Sequence, residues 1–212
     1  MSAPEKLAEY VRSLPDFKIY ESTGGSYNHM GATIADAVLQ ANNKYDSNVT
    51  PRTNRILAVY PEAKTTSAIH DLLATVPATV FLNWSGADRA KRLCEIVELF
   101  KSEAVETEAD LQGWLTHSQN CAKLDGIYGV GQKTVDYFKI LAGESTSAID
   151  RHMLGFLELA GIKAANYDEA QQIIIAAADL LGIDRANFDH SIWQFIQKGT
   201  AARECKTNPR TT

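Results

Sequence analysis

Residues 127–138 read IYGVGQKTVDYF, and the chain reaches SAIDRHM at 147–153. Gly129 and Gly131 flank one apolar residue, Val130, so the backbone can turn tightly while Val130 plugs the turn into a core. Gln132, Lys133 and Thr134 then open an apolar-periodic segment, which predicts a helix to about Ala142, stopped by Gly143. A preceding helix over 107–123 would complete a helix–hairpin–helix. Such a turn presents backbone N–H groups at a helix N-terminus, where a phosphate oxygen is favourably placed.

Outward from the hairpin, nearly every segment keeps helical spacing. Leu7, Tyr10, Val11 and Leu14 fall on one face, as do Leu93, Ile96, Val97 and Phe100. Ile34, Val38 and Leu39 make a similar face, and Leu111, Trp114 and Leu115 follow an N-cap expected at Thr107 with Asp110 as its reciprocal partner. Asp168 and Gln171 suggest another capped start, and Gly182 a stop. Pro51 suits the first turn of a helix through residues 52–60. Only FKIYES, 17–22, has strand character. The expectation is an all-α fold of about ten helices.

The chain has 212 residues, enough for one large domain or two small ones, and its 45% hydrophobic and 22% charged content is that of a soluble globular protein. The opening MSAPEKLAEYVRSL has charges where a signal peptide needs an apolar run, and no stretch predicts a membrane span. Cys94, Cys121 and Cys205 lack CxxC spacing, so free thiols in a reducing cytoplasm are expected. His29, His70, His117, His152 and His190 show no zinc-binding pattern. A net charge of −5 argues against nucleic-acid binding through a broad basic face. A hairpin that binds phosphate through backbone donors answers part of that objection.

Lys133 would sit in the first turn of its helix, where the dipole disfavours an ammonium. Dipole and partial burial both favour the neutral amine, a nucleophile. The plainer alternative is a solvated lysine. Asp150 heads the next helix, where an aspartate commonly serves as an N-cap. The predicted helix from Lys133 spans roughly 15 Å, so the returning chain could bring Asp150 near either of its ends. Asp189 and His190 are expected to cap and support the last helix, with Ile192, Trp193 and Phe195 packing. Arg89, Lys91 and Arg92 form a small basic cluster that could face DNA, though a solvated helix face is the plainer reading.

GVGQKT, a helix, then AIDRHM resembles the signature of the helix–hairpin–helix DNA glycosylases, the endonuclease III and 8-oxoguanine glycosylase superfamily. The resemblance runs from about residue 30 to 155 and is strongest over 127–153. GATIADAVLQANNKYD resembles the opening of that family's six-helix barrel, and LNWSGADRAKRL a later segment. It implies a barrel lobe at 30–145, with the hairpin motif at about 107–142, and a second helical lobe from 1–29 plus 146–200. It implies a cleft between those lobes, and the polar end of the sequence is expected to form a flexible tail over 201–212. It implies Lys133 and Asp150 as catalytic residues of a base-excision DNA glycosylase with AP lyase activity, working through a lysine Schiff base. Gly129, Gly131, Gln132 and Thr134 would contact DNA, with Asn42, Asn43, Trp84 and Ser85 at two further loops. Carbonyls of Asp125, Ile127 and Val130 would hold K+ or Na+. Tyr128 and Val135 stand where the family has proline and alanine. Only Cys205 follows Asp150, so no iron–sulfur cluster is expected and no cofactor is required. The implied partner is double-stranded DNA with a damaged base or abasic site, bound by a cytoplasmic, nucleoid-associated monomer. The residues themselves leave open a non-catalytic DNA-binding module and an unrelated all-α enzyme forming a Schiff base with a small carbonyl compound.

Overall fold

The computed structural model describes residues 1–22 and 27–207, with side chains to 198. Among them are twelve α-helices, one π-helical turn and no strand, so the chain is all-α. It divides into two units, Gly24–Glu144 and Met1–Thr23 with Ser145–Thr212.

In the first unit α2, Met30–Leu39, is buried at every residue, as its MGATIADAVL sequence requires: small and apolar residues on all sides suit a central helix. Packed against it are α3 (Thr50–Val59), α4 (Thr66–Leu73), α6 (Ala87–Ser102) and α9 (Gln132–Leu141). The short α5, Ala78–Phe81, lies on α6, while α7 (Glu108–Leu115) and α8 (Ser118–Asp125) pack beside α9. A π-helical turn, Tyr45–Val49, leads into α3, whose first turn holds Pro51. The start of α2 is satisfied from two sides. His29 Nδ1 accepts from the Ala32 N–H at 3.1 Å, and the buried Glu108 carboxylate accepts from the Asn28 and His29 amides and the Thr33 hydroxyl.

In the second unit α1 (Ala3–Ser13) lies along α11 (Tyr167–Leu181), and α10 (Arg151–Leu159) packs on α11 and α12 (Arg185–Thr207). Leu7, Phe156, Ile174, Phe188 and Ile192 form its core. No helix among the described residues is long and apolar enough to cross a membrane.

Several expectations need correction. The helix expected over 107–123 is two helices, broken at Thr116 and His117; the Thr116 hydroxyl donates to Gly113 O and Asn120 Nδ2 to Trp114 O across the break. FKIYES has no strand to pair with among the described residues; Tyr20 and Ser22 give their amides to Ser191 Oγ and Asn187 Oδ1 on α12 instead. The cap of α11 is Asn166, two residues before Asp168, while Gln171 Nε2 donates to Ser147 O at 2.6 Å. The expected tail is helical to Thr207; 208–212 lie outside the described residues.

Candidate active site

Between α8 and α9 the chain turns through residues 127–131. Val130 is buried and its N–H donates to Ile127 O at 2.9 Å, while Tyr128 at the tip is 76% exposed. Gly129 has φ +80°, a conformation open to glycine at little cost. It also lies under Arg92, whose Nε donates to Tyr128 O at 3.0 Å; a Cβ on Gly129 would come within 1.7 Å of Arg92 Nη2. Gly131 is the N-cap of α9, with open space where a side chain would project, and Gln132 is exposed. Thr134 is buried, its N–H spent on Gly131 O, so it supports the turn from inside. Asp125, the last residue of α8, is exposed, and Ile127 is half-buried. Carbonyls in such a turn are neutral oxygen donors, the kind a weakly hydrated monovalent ion accepts. Among the described residues no cluster of histidine, cysteine and carboxylate side chains could hold a metal.

Lys133, in the first turn of α9, is half-buried, and its Nζ donates to Gln40 Oε1 at 2.7 Å. One turn on, Tyr137 OH donates at 3.1 Å to Oδ1 of Asp36, whose Oδ2 accepts from Tyr27 at 2.6 Å and Tyr45 at 2.8 Å. Burial pushes the Asp36 carboxyl up from its ordinary value, against the pull of those three bonds. Burial and the neighbouring carboxylate raise all three phenols, which therefore stay protonated as donors.

An open groove of about 750 Å³ in the same unit is lined by Asn48, Arg52, Arg55, Asn83, Trp84 and Ser85. The guanidinium groups of Arg52 and Arg89 lie 5.0 and 4.3 Å from the Trp84 ring centre. Arg89 Nη2 also donates to Ala41 O, and of the three expected solvated cations only Lys91 is mainly exposed, near Glu95. Arg89 and Arg92 instead clasp loops. Asn42 is exposed with φ +51°. Asn43 commits its amide to Leu39 O, Lys44 N and Asn48.

Asp150 belongs to the other unit. It is the N-cap of α10, where Oδ1 accepts from His152 N at 2.7 Å and Met153 N at 3.2 Å. Asp189, expected to cap the last helix, lies inside α12 and accepts from Ser147 Oγ and Ala148 N, fixing the segment just ahead of Asp150. His190 stacks on Trp193 with ring centroids 6.2 Å apart.

A family described as a domain of unknown function, DUF8548, matches residues 5–197. The chain belongs to that family. No curated protein matches it. Among solved structures it is similar to the 8-oxoguanine DNA glycosylase of Thermotoga maritima, at 14% identity over 91% of this chain and 86% of that one, with a TM-score of 0.49. A likeness of that degree carries no functional weight.

In the DUF8548 chain, the residues around Lys133 that sequence reasoning missed are Gln40, Asp36 and the three tyrosines. A signal for the first two exists. They are the polar residues of an otherwise small and apolar run from Ile34 to Gln40, spaced four apart, which places both on one face of a buried helix. Tyr27 and Tyr45 come from segments outside regular α-helix, where no periodicity points inward.

Proposed function

We propose that this chain is a DNA glycosylase with AP lyase activity, removing a damaged, oxidised base from duplex DNA. The observation that carries the reading is a half-buried lysine amine in the first turn of α9, directly after a Gly-Val-Gly hairpin, held by a neutral amide. A lysine amine set directly behind such a turn is the nucleophile that Schiff-base chemistry requires.

In this reading the target nucleotide leaves the stack. The neutral Nζ of Lys133 bonds to C1′ as the glycosidic bond breaks, and its electron pair leaves with the base, which takes up a proton. The new ammonium loses a proton and the C1′–O4′ bond opens, giving a Schiff base. Loss of a proton from C2′ then expels the 3′ phosphate with the C3′–O electron pair. Asp150 offsets positive charge developing on the sugar and assists proton transfer. The amides of Gly129, Gly131 and Gln132 hold a phosphodiester; the carbonyls of Asp125, Ile127 and Val130 would hold K+ or Na+, which would supply positive charge beside the phosphate. The loops of Asn42, Asn43, Trp84 and Ser85 face the duplex.

Borohydride trapping tests this. Wild type incubated with duplex bearing an abasic site should give a covalent adduct on reduction, absent in Lys133→Gln. No wild-type adduct overturns the lyase; a gel shift without an adduct leaves a DNA-binding protein. Duplexes carrying single defined lesions then identify the base.

A further inference from the structure

The contact that holds Lys133 contains an unusual partner. Gln40 ends α2, its own N–H bonded to Asp36 O at 2.9 Å, and it is only 9% exposed. Its Oε1 accepts from Lys133, but its Nε2 is buried and has no hydrogen-bond partner among the described residues. A buried donor left unpaired costs about 1–3 kcal/mol, so a purely structural glutamine gains nothing from this arrangement. The backbone around it is fixed. Asp36 and Gln40 are one turn apart on α2, Tyr137 and Lys133 one turn apart on α9, and the pairs Asp36–Tyr137 and Gln40–Lys133 make two rungs between antiparallel helices. The lower rung is anchored by a carboxylate with three phenol donors, so the lysine stem starts from a rigid base.

We propose that Gln40 is the positioning residue of Lys133, and that its unpaired Nε2–H is reserved for an acceptor atom of the nucleotide that Lys133 attacks. This rests on the glycosylase/lyase reading above. Oε1 fixes one N–H of the amine, which leaves the nitrogen lone pair directed away from the amide and toward the bound sugar. The chemistry of the acceptor matters as much as its place. A glutamate there would add a negative charge beside the amine; the amide orients the amine and adds none. When the nucleotide enters, Nε2 gains the partner it lacks in the free protein, so the bond contributes to binding and orientation together.

The test is the trapping rate on abasic duplex as a function of pH, with wild type, Gln40→Glu and Gln40→Met. Gln40→Glu keeps the shape and the acceptor but adds charge and removes the donor. Its acid limb should move up by about one pH unit, with the rate at pH 7 down about tenfold and largely regained in alkali. Gln40→Met keeps volume without either polar group, and should lose about 10- to 100-fold at every pH with no upward move of the limb. Should the methionine variant fold poorly, the near-isosteric glutamate variant still decides. A wild type that traps, with Gln40→Glu trapping at the same rate and pH profile, overturns this inference alone. A wild type that traps nothing overturns the lyase reading, and this inference falls with it.

Discussion

Asp36 is a carboxylate closed in by Tyr27, Tyr45 and Tyr137, and its energetics are set by competition between burial and three donated bonds. Burial prevails, so the folded chain keeps this proton to higher pH than the unfolded chain, whose carboxyl titrates near 3.8. Between those two values the folded state binds more protons, so stability falls as pH rises through the window and returns on acidification. Thermal melts across pH 4–7 should show wild type gaining on Asp36→Asn as pH falls; a pH-independent gap would contradict the assignment. Tyr137→Phe removes one of three donors from a buried carboxyl and should cost about 1–3 kcal/mol by urea unfolding. Asp150 poses a different question, because its Oδ1 caps α10. Asparagine caps about as well as aspartate. Asp150→Asn should therefore keep stability and duplex affinity while turnover falls sharply, as expected of a charge needed mainly in the transition state. Equal losses of affinity and rate would mark Asp150 as a cap alone. The cap was legible in SAIDRHM; the partner of Lys133 was not, because Gln40 lies 93 residues away and only packing of α2 against α9 joins them.

At the scale of the element, the hairpin carries two glycines with different reasons to be there. Gly129 combines φ +80° with the Arg92 guanidinium against its Cα, so Gly129→Ala should cost at least about 1–2 kcal/mol by urea unfolding and release Arg92 from Tyr128 O. Gly131 has φ −130° and open space beyond it. Gly131→Ala should stay within about 0.5 kcal/mol of wild type yet weaken duplex binding, since the added methyl stands where a phosphate would approach. Equal stability and equal affinity would remove the turn from the proposed DNA surface. Most helices could be read from spacing and caps, Thr107 with Asp110 among them. The break between α7 and α8 could not, because Thr116 and His117 carry no proline or glycine signal and the interruption is made by side chains bonding back to Gly113 and Trp114 carbonyls. Glu108 was equally silent: it sits in the first turn of α7, like many glutamates, yet it supplies the anion for the start of α2, 75 residues away from Thr33.

For the molecule as a whole, charge limits how DNA could be held. A chain with net charge −5 repels a polyanion at long range, and affinity must come from local donors. Part of the basic inventory is spent on the protein itself: Arg92 on the hairpin carbonyl, Arg89 on Ala41 O, Arg185 on Asp179. Backbone amides at the α9 N-terminus remain, and Arg52 and Arg55 bring charge to their groove although Arg52 also donates to Asn48 O and Asn83 O, and Arg55 to Val80 O and Phe81 O. Counterion release scales with the number of phosphates neutralised by cationic side chains, each contributing about 0.9 to the slope of log affinity against log salt. Amide donors release few counterions. Fluorescence anisotropy with an abasic duplex, titrated from low to moderate salt, should give a slope of roughly −2 to −4, with Arg52→Gln and Arg55→Gln each flattening it by about one. A slope near −8 would require a broad basic face, which neither the composition nor the committed arginines allow, and would overturn the account of an acidic chain gripping DNA through its backbone.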